Sequence, residues 1–198
     1  DSQSKLRGAI HAKGELTLAN QYSFKSGEFI YDEEAVKNLW KLFSCQALPN
    51  EPDETLNNST LLGIDDNRNG VRDDVEIFII GRYKDEHKIV TEIAFQWANA
   101  YQRILNNPLD TEINHKSSHD AMDCNFYFKS YAEYYNDPIL VNHYIDEEFR
   151  NLQFNRKSRV KAYMEYDAKL SGGVYESTKT NKLKEKCNFD VTSLLGGE

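Results

Sequence analysis

The chain has 198 residues, of which 39% are apolar and 12% aromatic, so it can bury one sizeable hydrophobic core. Its formal net charge of −8 and its pI of about 5.2 argue against nucleic acid as a partner. No run of apolar residues is long enough to span a membrane. The sequence opens on Asp1 with no methionine or signal-like segment, and we expect a mature chain whose export signal lies outside this numbering.

Residues 1–31 are predicted to form an extended segment with a small β-hairpin, followed by a helix. Aromatic residues alternate with polar residues on both sides of a short turn: Tyr22, Phe24, Phe29 and Tyr31. Asp32 then has the position of a helix N-cap, and apolar residues at helical spacing predict a helix that ends near Cys45. Residues 47–64 are rich in Pro, Asn, Asp and Thr, which predicts a surface loop.

The twelve residues from Asp65 to Glu76 have the pattern of a calcium-binding loop. Such a loop supplies oxygen ligands from positions 1, 3, 5, 7, 9 and 12 and has glycine at position 6, which here is Gly70. Val71 would contribute its backbone carbonyl and Glu76 a bidentate carboxylate. The predicted ligands for Ca²⁺ are Asp65, Asn67, Asn69, Val71, Asp73 and Glu76.

An alternative explanation is that Asp73, Asp74 and Glu76 only favour the start of a helix, where the dipole attracts acids. That explanation leaves the regular spacing of Asp65 to Gly70 without a cause. The loop also differs from a calcium sensor, because turn-forming residues precede it and no second copy follows. We therefore expect a structural site of low charge, with a dissociation constant of about 10⁻⁴ to 10⁻³ M.

Apolar residues at helical spacing predict five helices after this loop. The first two begin at Asp73 and near Glu86, the third carries Cys124 on its apolar stripe, and the fourth begins at Asp137. The last contains Tyr163 and ends before residues 172–173, which are both glycine. The predicted fold is mainly α, an irregular bundle of about six helices, with residues 32–173 as the helical domain and 174–198 as a C-terminal tail packed on it.

Three cysteines, Cys45, Cys124 and Cys187, allow one disulfide and one remaining thiol. A bond between Cys124 and Cys187 is favoured, because it would fix an apolar-poor tail to the core and contribute roughly 4 kcal/mol. Pairing of Cys45 with Cys187 is the competing connectivity. None of the three has a spacing typical of zinc ligands.

His115 and His119 are one helical turn apart, with acidic residues nearby, and such a group can serve acid/base chemistry. A helix surface facing water explains the same pattern. The aromatic pairs Tyr134-Tyr135 and Tyr163/Tyr166 are candidates for a binding groove.

The motif from Leu48-Pro49 through Leu62-Gly63-Ile64 to Glu76, with Asn69-Gly70-Val71 at its centre, resembles a group of uncharacterised exported gammaproteobacterial proteins with an EF-hand-like loop of the form GID.N.NGVRDDVE. The segment from Leu170 to Asp190 is similar to the same group's C-terminal end. The resemblance implies export and a calcium loop. It implies no established molecular activity.

Together these features predict an exported calcium-binding protein, periplasmic or secreted, that acts as a structural or interaction module. Its partner would be another protein or a component of the cell envelope. The alternative function is a hydrolase-type enzyme with a site near His115 and His119.

Overall fold

A computed structural model of the chain describes residues 22–25, 28–31, 48–137 and 147–195. The chain divides into two compact units, Asp1–Leu48 and Pro49–Glu198. In the first unit, strands β1 (Tyr22–Lys25) and β2 (Glu28–Tyr31) pair antiparallel, with Tyr22 opposite Tyr31. This is the predicted hairpin. The helix predicted from Asp32 to Cys45 lies outside the described residues.

All the regular secondary structure in the described part of the second unit is helical, which confirms the predicted mainly α fold. Its α-helices are α1 (Glu54–Asn57), α2 (Asp73–Tyr83), α3 (Lys88–Asn106), α4 (Thr111–Ser130), α5 (Glu147–Gln153), α6 (Lys157–Leu170) and α7 (Val191–Leu194). Two short 3-10 turns, Thr180–Lys182 and Lys184–Lys186, precede α7. Among the helices described, none has both the length and the apolar character needed to cross a bilayer.

Helix α3 lies at the centre of the core and packs against α2, α4, α6 and α7. It begins after His87, whose Nδ1 accepts a hydrogen bond from the Ile89 N–H, and it ends just before Asn107-Pro108. Its apolar residues recur every three or four positions, so they form one continuous buried stripe. The fully buried members of the core around it include Ile89, Ile104, Leu105, Val75, Ile79, Phe128 and Phe149.

Two boundaries differ from the prediction. Helix α3 begins at Lys88 and not near Glu86. The predicted loop 47–64 contains the one-turn helix α1, which forms because Asp53 Oδ1 accepts the Leu56 N–H at 2.9 Å and caps it. Of the helix predicted to begin at Asp137, the described part is α5 from Glu147 onward.

The C-terminal segment is held to α3 and α4 by covalent and polar contacts. Cys124, which is fully buried in α4, is disulfide-bonded to Cys187 with the two Cα atoms 4.9 Å apart, so the predicted pairing is confirmed. Gln96 of α3 donates its Nε2 hydrogen to the Lys186 carbonyl at 2.8 Å and accepts the Asn188 N–H at 3.2 Å. A segment with little apolar periodicity is thereby ordered.

Loss of the disulfide should destabilise the fold strongly. We expect Cys187→Ser to lower the free energy of unfolding by about 4 kcal/mol, because the bond closes a loop of 63 residues. Urea unfolding without reductant measures this difference. Adding reductant should bring the wild-type midpoint to that of the variant, and equal midpoints before reduction would contradict the structural role of the bond.

Candidate metal centre

The loop Asp65–Glu76 makes its turns at two left-handed residues, Arg68 (φ 56°) and Gly70 (φ 83°). At Gly70, an added Cβ would lie 2.6 Å from Asn99 Oδ1 of α3, so a larger residue would have to displace the end of that side chain as well as adopt a positive φ. The Asp73 N–H donates to the Ile64 carbonyl at 2.8 Å and closes the base of the loop. Residue 64 is thereby linked to the first residue of α2.

Asp65 organises the first half of the loop through its carboxylate. Its Oδ1 accepts the Asn69 N–H at 3.1 Å and its Oδ2 accepts the Gly70 N–H at 3.0 Å. Two neighbouring amides act in the same way: Asn67 Oδ1 accepts the Asn69 N–H at 3.1 Å, and Asn69 Oδ1 accepts the Val71 N–H at 2.8 Å. The side-chain oxygens at positions 1, 3 and 5 therefore all face the backbone of the loop that encloses them.

Glu76 brings its carboxylate to the loop from the first turn of α2 and is fully buried. Its Oε2 accepts hydrogen bonds from Asn67 Nδ2 at 3.0 Å and from Asn69 Nδ2 at 2.7 Å. Its Oε1 is buried without a hydrogen-bond partner. An unpartnered carboxylate oxygen in the interior is costly, and a ligand that accepts its lone pair would relieve that cost.

Asp73 is also fully buried, and both of its carboxylate oxygens accept the Asp66 N–H, at 3.2 and 3.3 Å. Burial, together with the nearby carboxylates of Asp66, Asp65 and Glu76, raises the pKa of Asp73 to about 6, although the hydrogen bond from the Asp66 N–H lowers it. Burial raises the pKa of Glu76 as well, with a smaller contribution from Asp65. The loop thus concentrates negative charge that a cation would offset.

The structure brings Asp65, Asn67, Asn69 and Glu76 into one hydrogen-bonded group, and electrostatic contact joins Asp73 to it. The side chain of Val71 is buried in the core beside them. In the described ranges, no three His, Cys, Asp or Glu side chains converge as a metal-binding group. The predicted ligand set includes three carboxylates, Asp65, Asp73 and Glu76, and these do not converge as such a group in the structure.

The donor set is chemically suited to Ca²⁺. All six predicted donors are oxygens, which hard cations prefer, and thiolate and imidazole are missing from the set. Each Asn amide carries an oxygen as well as the NH₂ group that now contacts Glu76, so the same side chains can offer oxygen ligands. The unpartnered Glu76 Oε1 supplies a free acceptor among them.

Arg72, at position 8 of the loop, is a functional residue whose contacts the sequence did not predict. It is fully buried, and its guanidinium forms an ion pair with Asp74, with Nη2 3.1 Å from Oδ2. The same group donates to the carbonyls of Leu152 at 2.8 Å and Gln153 at 3.3 Å, at the C-terminal end of α5. The only sequence signal is that Arg replaces the apolar residue usual at position 8.

A second buried arginine, Arg159 of α6, holds the residues that lead into the loop. It donates to the carbonyls of Asn57 at 2.9 Å and Leu61 at 3.0 Å. Burial, together with the positive charge of Arg72, lowers the pKa of Arg159 to about 10, so it remains charged at neutral pH. Asn57 in turn accepts the Ile64 N–H at 2.9 Å through Oδ1, directly before the first predicted ligand.

The histidine pair lies on α4 and contacts aromatic and acidic neighbours. His115 stacks on Tyr175 with ring centroids 4.1 Å apart, and burial and His119 lower its pKa. His119 Nδ1 lies 3.2 Å from Asp123 Oδ2, one turn further along the same helix. The acid in contact with this pair therefore comes from its own helix and not from across a cleft.

The aromatic pairs singled out in the sequence have different environments. Tyr163 packs on Tyr101 and Phe154, and Tyr166 is buried, so this pair belongs to the core. Tyr134, after α4, is 78% exposed. Tyr163 and Tyr166 therefore do not form the predicted binding groove.

No protein-family model matches the sequence, and neither a curated protein nor a solved structure is significantly similar to it. The resemblance to exported gammaproteobacterial proteins therefore stays a prediction from the motif.

Substitution of two glycines should have opposite effects on stability. Gly63 has φ 75°, and an added Cβ would lie 2.2 Å from Arg72 Cδ, so Gly63→Ala should cost about 2 to 4 kcal/mol. Gly81, in helix α2, has open space around it, and Gly81→Ala should add about 0.5 to 1 kcal/mol. Chemical denaturation of both variants tests the expectation, and a neutral Gly63→Ala would contradict the described loop conformation.

Arg72→Lys should destabilise the loop and α5 together. An ammonium group cannot reach Asp74 and two carbonyls at once, so we expect a loss of about 2 to 4 kcal/mol. Arg68→Lys is the matched control, because Arg68 is exposed in the same loop and the exchange should change stability by less than about 0.5 kcal/mol. Similar unfolding midpoints for the two variants would refute a buried Arg72.

Proposed function

We propose that this chain is an exported calcium-binding protein whose loop Asp65–Glu76 is a structural Ca²⁺ site. The observation that carries the proposal is the environment of Glu76. A fully buried carboxylate has one oxygen shared between two amides and the other oxygen without a hydrogen-bond partner. Nearby carboxylates add repulsion that a divalent cation would offset.

In this proposal Asp65, Asn67, Asn69, the Val71 carbonyl, Asp73 and Glu76 hold the ion. The ion supplies positive charge and stabilises the native state by mass action, because the unfolded chain does not bring these oxygens together. The chain itself supplies the loop conformation. Asp65 holds the turn at Gly70, and α2 holds Glu76 against the two amides.

The surroundings of the loop favour a structural role over a sensor. A sensor exposes an apolar groove when calcium reorients two helices around the loop. Here the element before the loop is the four-residue α1, and the α2 side is fixed because Arg72 is buried against α5. Calcium binding would therefore order the loop on a fixed scaffold and present one defined surface to a protein or envelope partner.

The compartment follows from the site and the disulfide. A weak structural calcium site is filled where calcium is millimolar, which is outside the cytosol. The disulfide between Cys124 and Cys187 is of the kind that persists in oxidising compartments. Both support a periplasmic or secreted protein. Calcium would then complete the fold after export.

The alternative, a hydrolase-type site at His115 and His119, has weaker support. His119 and Asp123 do form a contact that could orient an imidazole. Asp120, the other neighbouring acid, has its pKa lowered although burial alone would raise it, because Lys116 and Lys186 both contact its carboxylate. One of the two acids is thus already neutralised by ion pairs.

Calcium should raise the melting temperature of the purified chain. Calcium at about 10 mM, which is ten to a hundred times the expected dissociation constant, adds roughly 1 to 3 kcal/mol, or roughly 2 to 10 °C. Thermal unfolding in calcium, in magnesium and in chelator, without reductant, measures the shift. Magnesium should not reproduce it.

Three single variants locate the effect. Asp65→Asn and Glu76→Gln should remove the calcium-dependent shift, because each removes a ligand charge. Asp66→Asn is the matched control, since the exposed Asp66 occupies a position that supplies no ligand, and its shift should remain. A shift that survives in Asp65→Asn or Glu76→Gln would rule out this loop as the site.

A further inference from the structure

We infer that Asn69-Gly70 is a self-modification site, at which the metal-free loop converts the Asn69 amide into a carboxylate. This is the one Asn-Gly pair in the sequence. Glycine has no side chain to shield its nitrogen, so the approach of the Gly70 nitrogen to the Asn69 side-chain carbonyl carbon meets little steric hindrance. Asn69 is exposed, which gives water access to the reacting group.

The folded loop places a polar group at each atom that the reaction changes. The Gly70 N–H donates to Asp65 Oδ2 at 3.0 Å, within the range at which a carboxylate acts as general base. Asn69 Oδ1 accepts the Val71 N–H at 2.8 Å, which stabilises charge on that oxygen. Asn69 Nδ2, the leaving nitrogen, is held 2.7 Å from Glu76 Oε2.

The reaction proceeds in two steps that balance. The Gly70 nitrogen bonds to Cγ of Asn69 as its proton passes to the Asp65 carboxylate, and the bond from Cγ to Nδ2 breaks as Nδ2 takes a proton from water. Ammonia and a five-membered imide result, and Asp65 returns its proton to the hydroxide left by that water. Water then adds to either imide carbonyl and opens the ring. The product at position 69 is aspartate or isoaspartate, and water is the only co-reactant.

Calcium should protect Asn69, a step that rests on the proposed function. As ligands of the ion, Asp65 and Glu76 would be weaker proton acceptors, so Asp65 would take the proton of the Gly70 nitrogen less readily. The aspartate product would in turn add a carboxylate at position 5 and tighten calcium binding, because ligand charge sets the affinity of such loops. An acid at position 69 would thus identify protein molecules whose loop had been without calcium.

The experiment compares asparagines within one protein sample. The full chain is incubated with chelator or with millimolar calcium, then cleaved with trypsin and analysed by mass spectrometry. Cleavage after Arg68 separates Asn69 from Asn67, which precedes an arginine and serves as the internal reference. In chelator we expect acid to form at Asn69 about tenfold or more faster than at Asn67.

Calcium at ten to a hundred times its dissociation constant should slow conversion at Asn69 by about the same factor, because only the metal-free fraction reacts. Asn69→Gln should abolish the fast conversion, since the extra methylene enlarges the ring that must close. Equal rates at Asn69 and Asn67 in chelator would overturn the inference. A calcium titration, followed separately, decides the proposed function.

The two failures are distinguishable. A chain that does not bind calcium but converts Asn69 in chelator would refute the calcium site and keep the modification. A chain that binds calcium but converts Asn69 at the same rate with and without it would refute protection. Asp65→Asn in chelator tests the base, and an unchanged rate in a variant with native circular dichroism would overturn its role.

Discussion

Two buried guanidinium groups donate hydrogen bonds to backbone carbonyls at the C-terminal ends of α5 and α1 and in the loop that follows α1. Arg72 donates to the carbonyls at the end of α5, and Arg159 donates to those of Asn57 and Leu61. Without these donors the carbonyls would be buried unpaired, at a cost of about 1 to 3 kcal/mol each. Asp74 offsets the positive charge that the two arginines bring into the interior. The position of the whole loop depends on this arrangement.

Three consecutive residues divide between two centres of opposite charge. Arg72 and Asp74 belong to the arginine centre beside α5, while Asp73 between them accepts a hydrogen bond from Asp66 within the loop Asp65–Glu76. The division is possible because consecutive side chains at the start of α2 point to different sides of the helix. An event in the loop therefore cannot move Asp73 without affecting the contacts of its two neighbours. The candidate site and the helices around it are thus connected through the contacts of these three residues.

The sequence was sufficient where its signal is local or periodic. The apolar stripe of α3, the start of α2 at Asp73, and the placement of Cys124 on a buried face could all be predicted, and with them the disulfide. The contacts of Arg72 and Arg159 with backbone carbonyls could not, because those carbonyls lie 80 to 102 positions away and leave no local pattern. Helix α1, capped by Asp53, was not predicted, because one turn of helix is too short for apolar periodicity to indicate.

The burial of Asn57 has a consequence for producing the chain in other hosts. Asn57-Asn58-Ser59 is an acceptor sequence for N-linked glycans in a eukaryotic secretory pathway. Asn57 is only 3% exposed, its side chain accepts a hydrogen bond from Ile64, and its carbonyl is bound by Arg159. A sugar attached there before folding would be incompatible with these contacts, so glycosylated chains could not adopt this structure.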